Sequence, residues 1–250
     1  PSCTPRNSPR GDRELWVGKL SDDASVTEKE KGAGGVDESI FQPEWSPDGT
    51  LYFVSDRTGW WNLYRWRERQ LEALCPMEAE FGQPQWVFGV SLYAFASDRQ
   101  IVCTYAKAGR DYLATLNTDT KSLETIKLPF TTISQVRAAA NRVVFIGASA
   151  IQTTSIVSLD LTTHNFEVLR RSREASVDTG YLAEPRAIEF ATEHGLTAHG
   201  YFYPPQNRDY AAPALEKPPL LVMSHGGPTS SSSSSLKYSI HYWTSRGIAV

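Results

Sequence analysis

The chain has 250 residues, with 25 Lys+Arg against 28 Asp+Glu and a formal net charge of −3; 40% of residues are hydrophobic and 21% charged. This is globular composition, which excludes a disordered chain, and the mild acidity argues against a nucleic-acid binder, which needs a basic face. No apolar run approaches the roughly 20 residues of a membrane span.

The elements begin after a polar stretch. Residues 1–13 are Pro/Arg-rich and poorly patterned, with no apolar core of a signal peptide, so a cytoplasmic location is expected. The first residue is Pro and not Met, which points to a piece of something longer. Glu14–Leu20 reads as a strand. Gln42-Pro43-Glu44-Trp45 follows, then the turn Ser46-Pro47-Asp48-Gly49 and the apolar run Leu51–Ser55. Gln83-Pro84-Gln85-Trp86 repeats the first motif 41 residues on, and Leu92–Arg99 (LYAFASDR) then matches Leu51–Arg57 (LYFVSDR) as a second strand. Arg142–Ala148 is a weaker third copy. Third strands are expected at Asn62–Trp66, Tyr112–Leu116 and Ser155–Leu159, and closing strands at Leu71–Leu74, Leu123–Leu128 and Phe166–Leu169. Four short strands per unit of roughly 40–50 residues is the period of propeller blades. Residues 14–172 thus predict a partial β-propeller of about three and a half blades, too few to close a ring without leaving sheet edges bare.

Residues 173–186 are charged, lack periodicity and read as a linker. The pattern then changes. Ala187–Phe190 and Leu196–Tyr203 predict a strand pair across Glu193-His194-Gly195, and Leu220–Met223 reads as a buried parallel strand. A helix is expected from about Ser232 to Arg246, with Leu236, Ile240 and Trp243 as its apolar stripe, Thr229 and the early serines as N-cap candidates and Gly247 at C′. Ile248–Val250 opens another strand. Strand, glycine turn, helix, strand is a βαβ unit with a parallel sheet in progress, which the glycine loop and the resemblance described below extend to the expectation that residues 187–250 are the N-terminal part of an α/β-hydrolase domain.

The chemical signal lies in that turn. His225-Gly226-Gly227-Pro228 after a buried strand has the form of an α/β-hydrolase oxyanion loop. Glycines are needed there because backbone N–H groups must approach the developing oxyanion with no Cβ in the way. His225 is expected to pack beneath the loop and brace it. The nucleophile elbow G-x-S-x-G is absent, and the Ser230–Ser235 run reads as a cap and solvated turn. The catalytic Ser, Asp and His of such a fold are therefore expected beyond Val250, and no peptidase activity is expected of these residues alone.

The segments QPEWSPDGTLYFVSDRTGWWNLYRW, IEFATEHGLTAHGYFYPP and PLLVMSHGGPT, in that order, resemble the prolyl oligopeptidase family of serine peptidases, and more closely its acylaminoacyl-peptidase-like branch. The resemblance covers roughly residues 14–250. It implies a propeller that gates an α/β-hydrolase domain, a Ser-Asp-His triad working through an acyl-enzyme, and short peptides as substrates. It also implies that one oxyanion donor is the Gly227 N–H. Two alternatives stay open. One is a non-catalytic propeller scaffold with a hydrolase remnant; the other is an esterase, against which the blade repeats argue.

In a four-stranded blade, the second-to-third-strand loop and the blade-to-blade loop leave from one end. Asp56-Arg57-Thr58-Gly59-Trp60-Trp61, Glu78-Ala79-Glu80-Phe81 and Asp37-Glu38 therefore share a face. If that face looks toward the catalytic cavity, Glu78 and Glu80 could hold a peptide's α-amino group, with Arg57, Trp60 and Trp61 beside them. No metal is expected, because Cys3, Cys75 and Cys103 are scattered and the five histidines show no ligand spacing. No cofactor is implied.

Overall fold

The computed structural model describes residues 13–84, 87–174, 177–213, 215–227 and 230–250. Cys3, Gln85, Trp86, Pro228 and the N-cap candidate Thr229 lie outside them. Among the described residues the strands form three four-stranded sheets and two two-stranded pairs, all antiparallel. The first pair is β1 (Glu14–Leu20) with β2 (Val26–Gly34). The first full sheet is β3 (Ile40–Trp45), β4 (Leu51–Ser55), β5 (Asn62–Arg67) and β6 (Gln70–Ala73) in spatial order. The second is β7 (Tyr93–Ser97), β8 (Gln100–Lys107), β9 (Arg110–Asn117) and β10 (Leu123–Ile126). The third is β11 (Thr132–Ala139), β12 (Arg142–Ala148), β13 (Ser155–Asp160) and β14 (Phe166–Arg171). β15 (Arg186–Ala191) and β16 (Thr197–Phe202) make the last pair, and α1 (Tyr238–Thr244) is one short helix.

The sheets stack face to face, and strand alternation decides which neighbour each side chain meets. From β4, Phe53 packs toward β1–β2 with Ala33, Ile40 and Tyr64. Tyr52 and Val54 point the other way, into a layer with Tyr93, Ile101, Cys103 and Leu116 of the second sheet. This is why β4 is buried throughout and apolar from Leu51 to Val54: both of its faces are covered. Val102 and Leu113 repeat the logic between the second and third sheets, against Val143, Phe145 and Leu159. Beyond the third sheet nothing described covers Ile156 or Leu169, and Trp16 and Leu20 are exposed at the opposite end of the stack.

Buried polar side chains bolt the first-strand edges together. Gln42, at a bulge with φ +47°, accepts the Leu92 N–H at 2.7 Å and donates from Nε2 to the Tyr93 carbonyl at 2.8 Å. The Tyr93 hydroxyl returns a bond to the Gln42 carbonyl at 2.8 Å. Ser91 extends the link to the third sheet, where the Ser91 carbonyl accepts the Val136 N–H at 2.9 Å.

Several expectations are corrected. LYAFASDR does not stand where LYFVSDR stands: Tyr93–Ser97 is the first strand of its sheet and Leu51–Ser55 the second of its own. The second strand there is Gln100–Lys107, which the repeat argument did not pick out. Residues 83–84 of the second QPxW motif lie in no strand. β2 was also not anticipated, because VTEKEKGAG is polar on an exposed outer strand. Leu220–Met223 is not a buried strand. It makes a single parallel bridge, Leu220 to Ala249, while Leu220, Val222 and Met223 are exposed, because no described element covers that side.

The helix starts six residues later than expected, at Tyr238, with no side-chain cap. Serines hydrogen-bond locally to the backbone and disfavour helix interiors, and the Ser230–Ser235 run stays outside it. Its buried positions are Ile240, His241 and Thr244, not Leu236 or Trp243. Gly247 does close it. With φ +84° it places the Ile248 N–H on the Trp243 carbonyl and its own N–H on that of Thr244, a Schellman pattern.

Candidate functional site

Strand direction puts one set of loops at one end of the stack. The β4–β5 loop (56–61), the β6–β7 connection (74–92), the β8–β9 turn (108–109), the β10–β11 connection (127–131) and the β12–β13 loop (149–154) all leave from the same end. The chain after β14 packs on that end. The Tyr201 hydroxyl donates to the Gly109 carbonyl, and Thr131 Oγ1 and Ser234 Oγ lie 2.8 Å apart. His241 Nε2 lies 3.0 Å from the Ala150 carbonyl. Between them is a cavity of about 420 Å³, walled by Arg110, Tyr112, Thr131, Ile151, Glu184 and Tyr201 among others.

The acidic loops are at this end too, over the first sheet. Arg57 forms a two-pronged ion pair with Glu38, Nε to Oε1 at 3.1 Å and Nη2 to Oε2 at 3.0 Å, and lies over the Tyr64 ring at 5.5 Å. Glu38 also accepts the Ser55 hydroxyl at 2.5 Å, and these partners hold its carboxyl below the usual range despite its burial. Arg57 is thus committed to Glu38. Asp56 and Glu80 form no ion pair among the described residues. Asp56 accepts the Ser39 N–H at 2.7 Å, and Glu80 the Trp61 N–H at 2.9 Å. Burial raises both carboxyls, and the Asp56 charge adds to the rise at Glu80. Backbone pairing between Glu80 and Ala106 fixes the loop.

The aromatic residues divide. Trp60 is half-buried, but Trp61 is 4% exposed and packs edge-on against Phe41 at 6.2 Å, so Trp61 is core and not a substrate-facing group. Gly82 has no side chain because a Cβ there would stand 3.0 Å from the Trp61 ring. Glu78 is exposed.

The glycine turn is open. Gly227 has φ +80°, a conformation that favours glycine, and a Cβ at Gly226 or Gly227 would meet nothing within 4 Å. The Gly227 N–H makes no hydrogen bond to a described residue. His225 is exposed and does not brace the loop from beneath, for no described element lies under it.

Cys75 and Cys103 are buried free thiols, and burial pushes Cys75 up to about 11, which leaves it unreactive. No metal-binding cluster occurs among the described residues. No described helix is long and apolar enough to cross a membrane.

Sequence reasoning missed Asp111, at the start of β9. Its carboxylate accepts the Ile133 N–H at 2.9 Å, and burial raises its pKa to about 6. The raised value disfavours the folded state above pH 6 and the penalty fades as the pH falls from about 6 toward 3.8, so Asp111→Asn is expected to stabilise the protein at pH 7.5, by up to about 3 kcal/mol. Urea unfolding at pH 7.5 and at pH 3.5 checks this: the gain should be present at the first and absent at the second.

Neither a family profile nor a curated sequence matches the chain. Solved structures do. A puromycin-hydrolysing peptidase of Mycobacterium tuberculosis superposes with a TM-score of 0.89 at 33% identity, over 98% of this chain and 37% of the other. A puromycin hydrolase gives 0.86 at 34% identity, over 95% and 36%. The acylaminoacyl peptidase of Pyrococcus horikoshii gives 0.62 at 16% identity, over 97% and 35%, a likeness of fold alone. The chain thus spans little more than a third of the length of the structures it matches.

Proposed function

We propose that the chain belongs to the prolyl oligopeptidase family of peptidases and is the propeller and leading hydrolase segment of a serine-type enzyme cleaving short peptides and aminoacyl amides. The observation that carries the reading is positional. The loop ends of the sheets contact Tyr201 and Ser234, on either side in sequence of the His225-Gly226-Gly227 turn, which supports a substrate held between that turn and the propeller end. The parallel bridge from Leu220 to Ala249, with Val250 paired to Tyr203, supports the reading that a parallel hydrolase sheet starts here.

The Gly227 N–H supplies one oxyanion donor, and its open surroundings leave room for the reacting carbonyl. The nucleophilic Ser and its Asp and His partners come from sequence after Val250. Ser attacks the carbonyl, His takes the Ser proton and gives it to the leaving amine, and water then releases the acyl group. The likeness to puromycin-hydrolysing enzymes supports substrates with a free α-amino group, since puromycin is an aminoacyl amide that carries one.

Asp56 and Glu80 hold that ammonium at the far end of the substrate. Glu38 is already neutralised by Arg57, which leaves these two carboxylates for an incoming cation. Glu80→Gln in the full-length enzyme is expected to raise KM for a free-amine aminoacyl anilide about tenfold, with little change for its N-acetyl analogue. An equal effect on both substrates would remove Glu80 from amine recognition.

A further inference from the structure

Three segments far apart in sequence converge on one buried imidazole. His241 of α1 is 4% exposed. Its Nδ1 accepts the Ala183 N–H at 3.2 Å, which requires Nδ1 to be unprotonated. Nε2 then carries the proton and donates it to the Ala150 carbonyl at 3.0 Å. Ala150 lies in the β12–β13 loop and Ala183 in the segment crossing from β14 to β15. One side chain therefore ties the helix to the third sheet and to the crossing segment together. The wall around it is apolar: Ala150, Ala183 and Ile240, with Tyr203 edge-on at 6.3 Å.

We propose that His241 is a proton-operated clasp, which locks the helix-bearing part of the chain onto the propeller end when neutral and releases it when protonated. The proposal does not depend on the peptidase reading. Protonation turns Nδ1 from acceptor into donor, and it then faces the Ala183 N–H donor to donor. It also places a charge in a largely apolar pocket with no counter-ion among the described residues. Relief comes from moving the helix away or letting water in.

The surrounding groups leave this titration to His241. The β12–β13 loop, residues 149–154, carries no ionisable side chain. From the crossing segment comes Glu184, which is exposed. From the end of β16 come Tyr201 and Tyr203, phenols that burial raises further. At the helix itself Lys237 is exposed, Tyr238 lies under Arg173, and Arg246 stacks on Tyr242 on the outer side. Behind Tyr201 stands Asp111, whose titration has the opposite sign and stabilises the fold in acid. Burial holds His241 below its ordinary 6.5, so the stability it gives is complete above pH 6.5 and is lost as the pH falls below that value toward its folded pKa. The neighbouring contacts, Tyr201 to Gly109 and Thr131 to Ser234, do not titrate in this range.

Hydrogen–deuterium exchange of the full-length protein at pH 7.5 and pH 5.0, corrected for intrinsic rates, tests the clasp. Peptides covering 149–155, 179–185 and 238–246 should lose protection at pH 5.0, by up to about 30-fold, the roughly 1.5 pH units between an ordinary imidazole and pH 5.0. Peptides over 51–67 should not change. His241→Gln, which cannot take up a proton, should remove the pH dependence, and Asp111→Asn should leave it in place. Equal protection of the wild type at both pH values overturns the proposal, as does a pH response that survives in His241→Gln. If His241→Gln does not fold, ring NMR of the wild type decides. The His241 titration should share its midpoint with the loss of Ala183 amide protection; a ring that stays neutral while protection is lost overturns the clasp.

Discussion

Replacing Gln42 with leucine is expected to lower unfolding stability by about 2 kcal/mol, because the buried Leu92 N–H loses its partner and the Tyr93 carbonyl keeps only the Ser91 hydroxyl. The Leu92 N–H gives its hydrogen to Gln42 Oε1 and the Tyr93 carbonyl takes one from Nε2, and both are beyond the reach of a leucine. The side chain is 7% exposed, so water does not replace it cheaply. The effect should fall on the docking of the first two sheets and not on either sheet's own ladder. Denaturant unfolding should show a lower midpoint, with exchange protection lost first along Leu92–Tyr93 and Gln42. Tyr93→Phe removes only the return bond from the hydroxyl to the Gln42 carbonyl and should cost about 1 kcal/mol. A Gln42→Leu loss below about 1 kcal/mol would mean that the bolt contributes no more than an ordinary exposed contact.

The second large effect is catalytic. Gly227→Ala in the full-length enzyme is expected to lower kcat about 100-fold while changing KM little, the signature of a contact made only in the transition state. Two observations separate this from misfolding. A methyl at Gly227 meets nothing within 4 Å, so it causes no clash in the folded chain. The cost of alanine at φ +80° is about 1–2 kcal/mol and falls on the local turn, which shifts the N–H away from the oxyanion. Unfolding midpoints should therefore stay near wild type. Activity within threefold of wild type would remove Gly227 from the oxyanion site.

The sequence told most where burial on two faces left a continuous apolar run. Leu51–Ser55 stands as a strand for that reason, and Arg142–Ala148 and Ser155–Asp160 stand as strands with one face against the second sheet and the other largely uncovered among the described residues. It told least where strands are outer and wet. VTEKEKGAG carries no apolar alternation, since β2 faces solvent over most of its length. The likeness of QPEW and QPQW points to the wrong blade register, because the position equivalent to Gln42 in the third sheet is Gln135. Both sit at bulges in the first strands of their sheets with positive φ, +47° and +56°. An Ile two residues before each glutamine, Ile40 and Ile133, was the available signal. At the candidate site, Arg57, Asp56, Glu38 and Glu80 were placed on one face by strand direction alone. Their division into a closed ion pair and two carboxylates with no ion pair among the described residues, and the burial of Trp61, depend on packing that no spacing encodes. The helix is shorter than the Leu236 stripe suggests because the six serines before it are poor helix formers and Ser234 bonds across to Thr131 instead.

The account turns on serine-type chemistry at the propeller end. The most direct measurement is covalent labelling of the full-length protein by a fluorophosphonate, read by intact mass alongside hydrolysis of a free-amine aminoacyl anilide. One adduct per chain, on a serine C-terminal to Val250, with anilide hydrolysis lost in step, is the expected result. No adduct and no hydrolysis would contradict the account and leave the propeller face as the working surface of a non-catalytic protein.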